Sequence, residues 1–327
     1  MAYQKIITHE DFDGLACAVL CSQALRVNHI EFTGPRTVSE ARITITAADV
    51  VCDLPYPLEC GLWFDHHEAN LEELRLRGID PASVQGRFAP QDSCAHVVYE
   101  YFAEQGVAMP AHFAELVAEA DVIDAFSYDS IEEWRRETPG KVVDGTIKLL
   151  QQRPEPGKWL YLRALVQQLK VQSLEEVARQ QEVQERFRAY RRLEEEMVQQ
   201  IRTDARFLPE DQNQEVVILD LTRHNRRPQV IRQLAYLLFP HAKGVIEVRN
   251  LFRDGLKTTD LSVSFSLGIK LGKSAHNKDV GELMRRLNIG SGHKGAAAGT
   301  IFCGSKDEML RAKEETLRQL VTLFLQQ

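Results

Sequence analysis

Two segments near the N-terminus combine histidine and aspartate in patterns that could bind divalent cations. In the first, His9, Asp11 and Asp13 alternate and are followed by Gly14. In the second, Asp65-His66-His67 directly follows an apolar run. Hard and borderline divalent cations prefer carboxylate and imidazole ligands. Because no cysteine takes part, the set suits Mn²⁺, Mg²⁺ or Co²⁺ better than structural zinc. The alternative for the first segment is a solvated acidic turn that caps a helix.

Both segments follow predicted β-strands, and a further strand also ends on a carboxylate. The strands are predicted at 5–7, 49–53 and 61–64, and the middle one ends at Asp53. Strands that alternate with helices predict an α/β domain with a doubly wound, mainly parallel sheet. Ligands of such sheets bind beyond the carboxyl ends of the strands. We therefore expect these ionisable side chains to lie at one edge of the sheet.

A further carboxylate, Asp124, follows the helix that is predicted to begin near Ala111. It could instead cap a neighbouring element. With it, the candidate ligands are His9, Asp11, Asp13, Asp53, His66, His67 and Asp124. These are too many for one ion. Two ions about 3.5–4 Å apart that share a carboxylate are the natural arrangement for phosphoester hydrolysis.

Length and composition set the broad class. The 327 residues exceed one ordinary core and favour two domains. Hydrophobic content of 44% and charged content of 27% are typical of a soluble globular protein. No apolar run approaches the roughly 20 residues of a membrane span, and the first residues lack the features of a signal peptide. The 6 cysteines are scattered, without paired CxxC motifs. We expect a cytoplasmic protein with reduced cysteines and no membrane partner.

Charge is divided unevenly along the chain. Residues 1–150 contain 11 Lys and Arg against 25 Asp and Glu, so their formal charge is −14. Residues 151–327 contain 29 against 22, which gives +7. An acidic half suits cations and a basic half suits an anionic substrate, although such a division can also arise by drift.

A capping box, Ser173-Leu174-Glu175-Glu176, opens a charged helix that is predicted to run to about Arg206. Its narrow apolar stripe indicates a connector between domains. The alternative is a dimerising coiled coil, which would make the protein a homodimer. Beyond the connector, strands are predicted at 216–221, 244–248 and 261–265, and helices at 228–238, 280–287 and from Ser305 to about 325. The predicted organisation is a catalytic domain at 1–165, a helical linker at 166–208 and a smaller α/β domain at 209–327.

In their order along the chain, these motifs resemble those of the DHH phosphoesterase superfamily. The matching segments are His9-x-Asp11-x-Asp13-Gly14, the strand that ends in Asp53, Asp65-His66-His67, and residues 290–299. The last segment, GSGHKGAAAG, is similar to the glycine-rich motif of the family's DHH-associated C-terminal domain. The first motif most resembles the nanoRNase branch and is also similar to exopolyphosphatase-related chains. The resemblance implies a DHH catalytic domain, a DHH-associated substrate-binding domain and two divalent ions, foremost Mn²⁺.

The resemblance also implies a role for each matching residue. His9 and Asp11 would bind the first metal ion, whereas Asp13 and His66 would bind the second. Asp53 would bridge the two ions.

A fourth motif of the family would supply one more aspartate. Asp124, followed by a small residue and a phenylalanine, fits this motif best, and Asp121 is the second choice. His67 would contact the substrate phosphate, and Asp65 would orient a neighbouring ligand. With His293 of the C-terminal motif, Asp65 and His67 are the expected catalytic side chains.

The C-terminal motif is expected to bind substrate through Gly290, Gly292, His293 and Lys294. Its glycines would let the backbone approach an anion, and residues 294–298 would begin a helix whose N-terminus favours phosphate. His293 would donate a hydrogen bond to a phosphate or to the scissile oxygen. The alternative is a glycine-rich turn that serves tight packing.

This chain departs from the family pattern in two places. Ser291 stands where a second glycine is usual, and the strand at 262–267 lacks the usual arginine. Arg249, Arg253 or Lys257 could replace that arginine.

The leading functional hypothesis is a two-metal phosphoesterase that hydrolyses short oligonucleotides or small nucleotide phosphates. The first alternative is an exopolyphosphatase or pyrophosphatase, which needs no base-stacking platform. The second is a nucleotide-binding protein without activity, which would show a broken set of metal ligands.

Overall fold

The computed structural model describes residues 3–226, 228–269, 271 and 276–327. The chain folds into two compact units. The first comprises Met1–Ser127 and Glu137–Arg191, and the second Tyr128–Arg136 and Arg192–Gln327. The boundary after Arg191 lies inside the predicted linker at 166–208.

From Lys5 to Phe88, strands are interspersed with helices, and a series of helices follows up to Asp204. The strands are β1 (Lys5–His9), β2 (Ile30–Thr33), β3 (Asp49–Cys52), β4 (Leu62–Asp65) and β5 (Gly86–Phe88). The helices are α1 (Phe12–Leu25), α2 (Pro35–Ser39), α3 (Glu68–Leu76), α4 (Cys94–Glu104), α5 (Phe113–Asp124), α6 (Ile131–Arg135), α7 (Pro139–Gln152), α8 (Lys158–Leu169), α9 (Leu174–Ala178) and α10 (Gln181–Asp204).

The first sheet has the strand order β2-β1-β3-β4-β5, and every neighbouring pair is parallel. Ile7, Val51 and Trp63 share a core with residues of α2 and α3 on one face. On the other face, Phe64 packs against Phe102 of α4, since successive side chains of a strand point to opposite faces. Helices thus cover both faces, which explains the almost unbroken apolar runs of these strands. The predicted doubly wound α/β fold is confirmed.

The second unit is built around a mixed sheet. Its further elements are β6 (Ala205–Arg206), β7 (Val216–Asp220), α11 (Ala235–Leu238), β8 (Gly244–Arg253), β9 (Leu256–Leu267), α12 (Val280–Arg286), β10 (Gly290–Gly292), β11 (Ala296–Ile301) and α13 (Lys306–Gln326). The strand order is β10-β11-β9-β8-β7-β6, and only the pair β7–β8 is parallel among these described strands. Val263 and Phe265 of β9 belong to a core with α12 and α13. A second α/β unit is therefore confirmed.

Three predicted helices differ from the structure. Residues 296–301 form strand β11 rather than a helix, because pairing with β9 and burial of Ala297 override the helix propensity of the alanines. The predicted helix at 228–238 is reduced to a 3₁₀ turn at Arg232–Leu234 and the short α11. The helix predicted from Ser173 to about Arg206 is divided into α9 and α10, although its capping box is present.

Two other expectations concern cysteines and membranes. All 6 cysteines are free. Within the described part of the chain, no helix has both the length and the apolar character needed to span a membrane.

Gly14 determines how closely α1 approaches the end of β1. A Cβ atom at this position would lie 2.1 Å from the carbonyl oxygen of His9. We expect Gly14→Ala to lower the free energy of unfolding by about 3 kcal/mol, as overpacking does, measured by thermal or denaturant unfolding. Gly34→Ala is the matched control, since a Cβ there meets nothing within 4 Å. Equal stability of the two variants would contradict this packing argument.

Candidate metal centre

Three adjacent parallel strands deliver ionisable residues to one edge of the first sheet. His9 is the last residue of β1, Asp53 directly follows β3, and Asp65 is the last residue of β4, immediately before His66 and His67. Because β3 pairs with both β1 and β4, these three ends are neighbours. Asp53 adopts a left-handed backbone conformation (φ 55°), which is uncommon in residues other than glycine.

The first group of side chains consists of His9, Asp11 and Asp53. His9 Nδ1 lies 2.6 Å from Asp11 Oδ2 and 3.4 Å from Asp53 Oδ2. One ligand atom from each of the three lies within 4.8 Å of the others. Asp11 also caps α1, since its Oδ1 accepts a hydrogen bond from Gly14 N at 2.9 Å. Helix capping and a place in the ligand group are therefore compatible.

The second group consists of Asp13, His66 and Asp124, whose ligand atoms also lie within 4.8 Å of one another. His66 Nε2 is 3.4 Å from Asp124 Oδ2 and 4.0 Å from Asp13 Oδ2. Asp53 lies between the groups, because its Oδ1 is 3.9 Å from His66 Nε2 and 3.6 Å from His67 Nδ1. The structure thus brings together all seven side chains named as candidate ligands from the sequence.

Asp121 and Asp124 occupy different surroundings. Asp121 accepts a hydrogen bond from Ser93 Oγ at 2.6 Å and lies 2.8 Å from His96 Nδ1. Asp124 instead faces His66. Of the two aspartates, Asp124 is therefore the one at the cluster.

The cluster is short of positive charge. Burial and the neighbouring Asp53 and Asp124 raise the pKa of Asp13 well above its usual value. Burial and Asp11 raise the pKa of Asp53 to about 6. Burial and Asp53 likewise raise the pKa of Asp124. Buried carboxylates that repel one another in this way are stabilised by cations, so the donor set fits divalent metal ions.

Unsatisfied polar atoms support the same conclusion. Both carboxylate oxygens of Asp53 and the Nε2 of His66 are buried and have no hydrogen-bond partner within the described residues. His66 Nδ1 lies 2.9 Å from the carbonyl oxygen of Gln91, which is an acceptor, so Nδ1 carries the proton and Nε2 presents its lone pair. Burial and His67 lower the pKa of His66, which favours the neutral, ligating form. These are the properties of a metal ligand.

In the absence of a metal ion, neighbouring carboxylates favour the imidazolium form of the other two histidines of the cluster. Burial opposes the imidazolium form of His9, but Asp11 and Asp53 outweigh it and raise the pKa well above its usual value. In return, His9 overcomes the effect of burial and lowers the pKa of Asp11 to about 2. For His67, the hydrogen bond to Asp65 outweighs burial and raises the pKa to about 9.

Asp65 is a fully buried acceptor that orients the two histidines after it. Its Oδ1 accepts from the backbone N–H groups of His66 and His67 and lies 2.9 Å from His67 Nδ1. Its Oδ2 accepts from Asn70 Nδ2 at 2.5 Å. The geometry agrees with the expectation that Asp65 positions a neighbour, which here is His67.

Asp13 is fixed by the start of a helix. Its two oxygens accept hydrogen bonds from Cys94 N and Ala95 N, each at 2.8 Å, at the N-terminus of α4. The partial positive charge of a helix N-terminus favours the carboxylate. The sequence does not predict this contact, because no motif links Asp13 to residues 94 and 95, which are 81 and 82 positions further along the chain.

Two side chains that the sequence did not single out anchor the loop between His9 and Asp13. Lys158 is buried and donates to Glu10 Oε2 at 2.7 Å. Gln151 Nε2 donates to the backbone oxygen of Glu10 at 2.8 Å. No local sequence motif predicts these contacts, because the residues of α7 and α8 that make them are more than 140 positions from Glu10 in the sequence.

In the second unit, the glycine-rich motif forms a hairpin from β10 to β11. A Cβ at Gly290 would lie 2.1 Å from the carbonyl oxygen of Ala298, so tight strand packing by itself requires this glycine. His293 is exposed, and its Nδ1 accepts from Gly295 N at 3.1 Å. Lys294 Nζ donates to the carbonyl oxygen of His276 at 2.9 Å. The substrate-binding roles of Gly290, Gly292, His293 and Lys294 remain predictions.

Two of the three residues considered as replacements for the missing arginine are engaged elsewhere. Arg253 lies 2.8 Å from Asp260, and Lys257 donates to the carbonyl oxygen of Thr222 at 2.6 Å. Arg249 is opposite Ser262 in the β8–β9 pairing, so it shares that residue's face of the sheet.

Arg232 is a further arginine at this face, which the sequence patterns did not bring into consideration. Its Nε donates to Ser266 Oγ at 3.0 Å. Ser262 and Ser266 are four residues apart in β9 and therefore point to the same side. The pattern at 228–238 predicts a regular helix and gives no sign of this contact.

Comparisons with known proteins give the fold a context. No protein-family model matches the chain, and no curated protein matches it. Among solved structures, a pGpG-specific phosphodiesterase from Vibrio cholerae has a TM-score of 0.69 and 23% identity, over 98% of this chain and 99% of that chain. RecJ in complex with Mn²⁺ from Thermus thermophilus has a TM-score of 0.54 and 14% identity, over 98% and 52% of the respective chains. A DHH domain from a family of ribosomal proteins has a TM-score of 0.58 and 13% identity, over 96% and 87%.

Proposed function

We propose that this chain, which has the fold shared by those DHH-domain structures, is a divalent-metal-dependent phosphoesterase. The substrates we propose are short oligonucleotides or small nucleotide phosphates. One observation carries the proposal: the buried carboxylate of Asp53 forms a ligand group with His9 and Asp11, and its Oδ1 lies 3.9 Å from His66 Nε2 of the second group. A pair of sites that share a carboxylate suits phosphoester hydrolysis better than it suits a structural ion.

The proposed ligands divide between two ions. His9 and Asp11 would hold one ion and Asp13, His66 and Asp124 the other, with Asp53 common to both. Manganese is the proposed metal, in agreement with the Mn²⁺ named for the RecJ structure, and Mg²⁺ or Co²⁺ would suit the same ligands. Such ions would supply Lewis-acid stabilisation of the charge that builds on a phosphoryl group.

The chain's own residues would bind and orient the phosphate. His67 has a side chain that is 43% exposed and an Nδ1 held by Asp65, so its Nε2 is available to donate to a phosphoryl oxygen. Asp65 keeps this ring in place, and the Asp65 interaction favours the cationic form that an anionic substrate requires.

A substrate-binding role is proposed for the second unit. We propose a catalytic domain at 1–165, a helical linker at 166–208 and a substrate-binding domain at 209–327. The last of these would act through Gly290, Gly292, His293 and Lys294. The net positive charge of residues 151–327 supports a role of this half in binding an anionic substrate.

Nucleotide substrates are proposed over inorganic polyphosphate. The phosphodiesterase from Vibrio cholerae is named for pGpG, and a RecJ structure is named as an exonuclease. An exopolyphosphatase-related protein from Bacteroides fragilis also shares the fold, with a TM-score of 0.50 and 10% identity over 99% of this chain and 94% of that chain. Polyphosphate therefore belongs in the test. The complete donor set favours an enzyme over a nucleotide-binding protein without activity.

The test is a substrate panel assayed with Mn²⁺, Mg²⁺, Co²⁺ or EDTA. The panel contains a linear dinucleotide, 3′-phosphoadenosine 5′-phosphate, a cyclic dinucleotide and polyphosphate. We expect a nucleotide substrate to be hydrolysed with Mn²⁺ and no turnover in EDTA, with activity restored when Mn²⁺ is added back. Turnover of polyphosphate alone would contradict the proposed substrate class. Turnover that persists in EDTA, or none with any of the three metals, would contradict the proposed mechanism.

A further inference from the structure

A second candidate site lies wholly within the second unit and contains no residue of the metal cluster. It is a pocket of about 720 Å³ between the first turns of α13, the end of β7 and the parts of β8 and β9 nearest their connecting turn. This volume is in the range of small-molecule sites. The glycine-rich turn at 290–294 does not line it.

Positive charge predominates in this pocket. Five cationic side chains line it, against the two carboxylates of Asp204 and Asp220: Arg206, Arg223, Lys257, Lys306 and Lys313. Asp220 accepts from Lys313 Nζ at 2.6 Å, and Asp204 pairs with Arg223. Each carboxylate thus has a cationic partner, and Arg206 also pairs with Glu314 at 2.8 Å. The excess of positive charge that remains for an anionic ligand lies on Lys257 and Lys306.

Lys257 and Lys306 supply much of that excess. Lys257 Nζ donates to the carbonyl oxygen of Thr222, which carries no charge. Burial lowers the pKa of Lys257, and the positive charges of Lys306 and Lys313 lower it further. Converging cations of this kind are relieved by a multivalent anion such as phosphate.

Asn250 adds an independent indication of a ligand. It lines the pocket and is only 3% exposed. Its Nδ2 donates to the carbonyl oxygen of Thr258 at 2.9 Å, so the orientation of the amide is defined. Its Oδ1 is buried and accepts no hydrogen bond from the residues the structure describes. A buried acceptor without a donor is uncommon in folded proteins, and a small shift of this amide towards a ligand hydroxyl group would supply one.

We propose that this pocket binds a phosphorylated sugar or nucleotide, with its phosphate at Lys257 and Lys306 and a hydroxyl group at Asn250. The site goes beyond the proposed hydrolytic function, because it uses no residue of the metal cluster and requires no metal ion.

The test is calorimetric titration of the full-length chain in EDTA with ADP, pyrophosphate and adenosine as probes. We expect one ADP to bind per chain, pyrophosphate to bind more weakly and adenosine not to bind. The double variant Lys257→Ala/Lys306→Ala should weaken ADP binding at least tenfold. Lys306→Glu should do the same by reversing one charge. Both lysines are exposed, so folding should be unaffected, which the melting temperature checks.

Two control variants locate the binding. Arg311→Ala removes an exposed cation of α13 that does not line the pocket, and Lys294→Ala removes the cation of the glycine-rich turn. Both should keep ADP affinity within twofold of the wild-type value. No ADP binding by the wild type, or equal affinity in the double variant, would overturn the proposal. So would binding of single-stranded RNA without binding of ADP. The titration is done in EDTA, which removes metal ions. A negative result therefore does not affect the hydrolytic proposal, and a failure of the hydrolytic assay does not affect this pocket.

Discussion

Asp53→Asn is expected to reduce hydrolysis on the order of 10³-fold or more. Both proposed sites share this carboxylate, so its removal would forfeit several kcal/mol of charge stabilisation. Asparagine keeps the size of the side chain and tolerates the left-handed backbone at this position. The measurement is kcat/KM with saturating Mn²⁺, together with the metal content of the purified variant.

The same variant should be more stable than the wild type when metal is absent. The ionised Asp53 destabilises the folded state, because its pKa is raised to about 6 from an unfolded value of 3.8. The folded chain therefore binds more protons between these values, and stability falls as pH rises through that window. In EDTA, Asp53→Asn should melt at a higher temperature than the wild type at about pH 7.5, and the difference should vanish near pH 4.

A matched control for this substitution lies at the other end of the same strand. Asp49 is also buried, but it accepts hydrogen bonds from the N–H and hydroxyl groups of Thr46. Asp49→Asn should retain activity within a few-fold and lose stability. Wild-type turnover in Asp53→Asn, or an equal loss in Asp49→Asn, would show that Asp53 has no special role.

Asp124→Asn should lower kcat/KM on the order of 10²-fold or more, because it removes a charged ligand of one ion, whereas Asp121→Asn should change it only a few-fold. The two aspartates are one helical turn apart at the end of α5, but only Asp124 faces His66. Asp121→Asn should instead lower the melting temperature, because Asp121 pairs with Ser93 and His96. Metal titration and thermal unfolding of both variants give the comparison.

The reverse pattern would contradict the assignment of Asp124. If Asp121→Asn abolished metal binding while Asp124→Asn kept it, the ligand of the second group would have to be reassigned. Double substitution adds a check, since two independent effects should be additive in activity and in stability.

The sequence was a reliable guide to the positions of the candidate ligands that follow the ends of strands. His9, Asp53 and Asp65 each end or follow an apolar run, and parallel pairing necessarily brings such ends to one edge. Asp124 was harder to place, because it lies at the end of a helix far along the chain from His66, and only the resemblance distinguished it from Asp121.

Contacts made over long distances were beyond the sequence patterns. The backbone groups of Cys94 and Ala95 that hold Asp13, and the Lys158 side chain that holds Glu10, come together only when the chain has folded. The strand at 296–301 was missed for a related reason. Its alanines favour a helix locally, and pairing with β9 determines its conformation instead.

The central claim is that two metal ions bind on either side of Asp53, and anomalous diffraction from crystals soaked in Mn²⁺ tests it most directly. We expect two anomalous peaks about 3.5–4 Å apart, one beside His9 and Asp11 and the other beside Asp13, His66 and Asp124. Peaks at any other position, or a difference map without peaks next to Asp53, would contradict the claim.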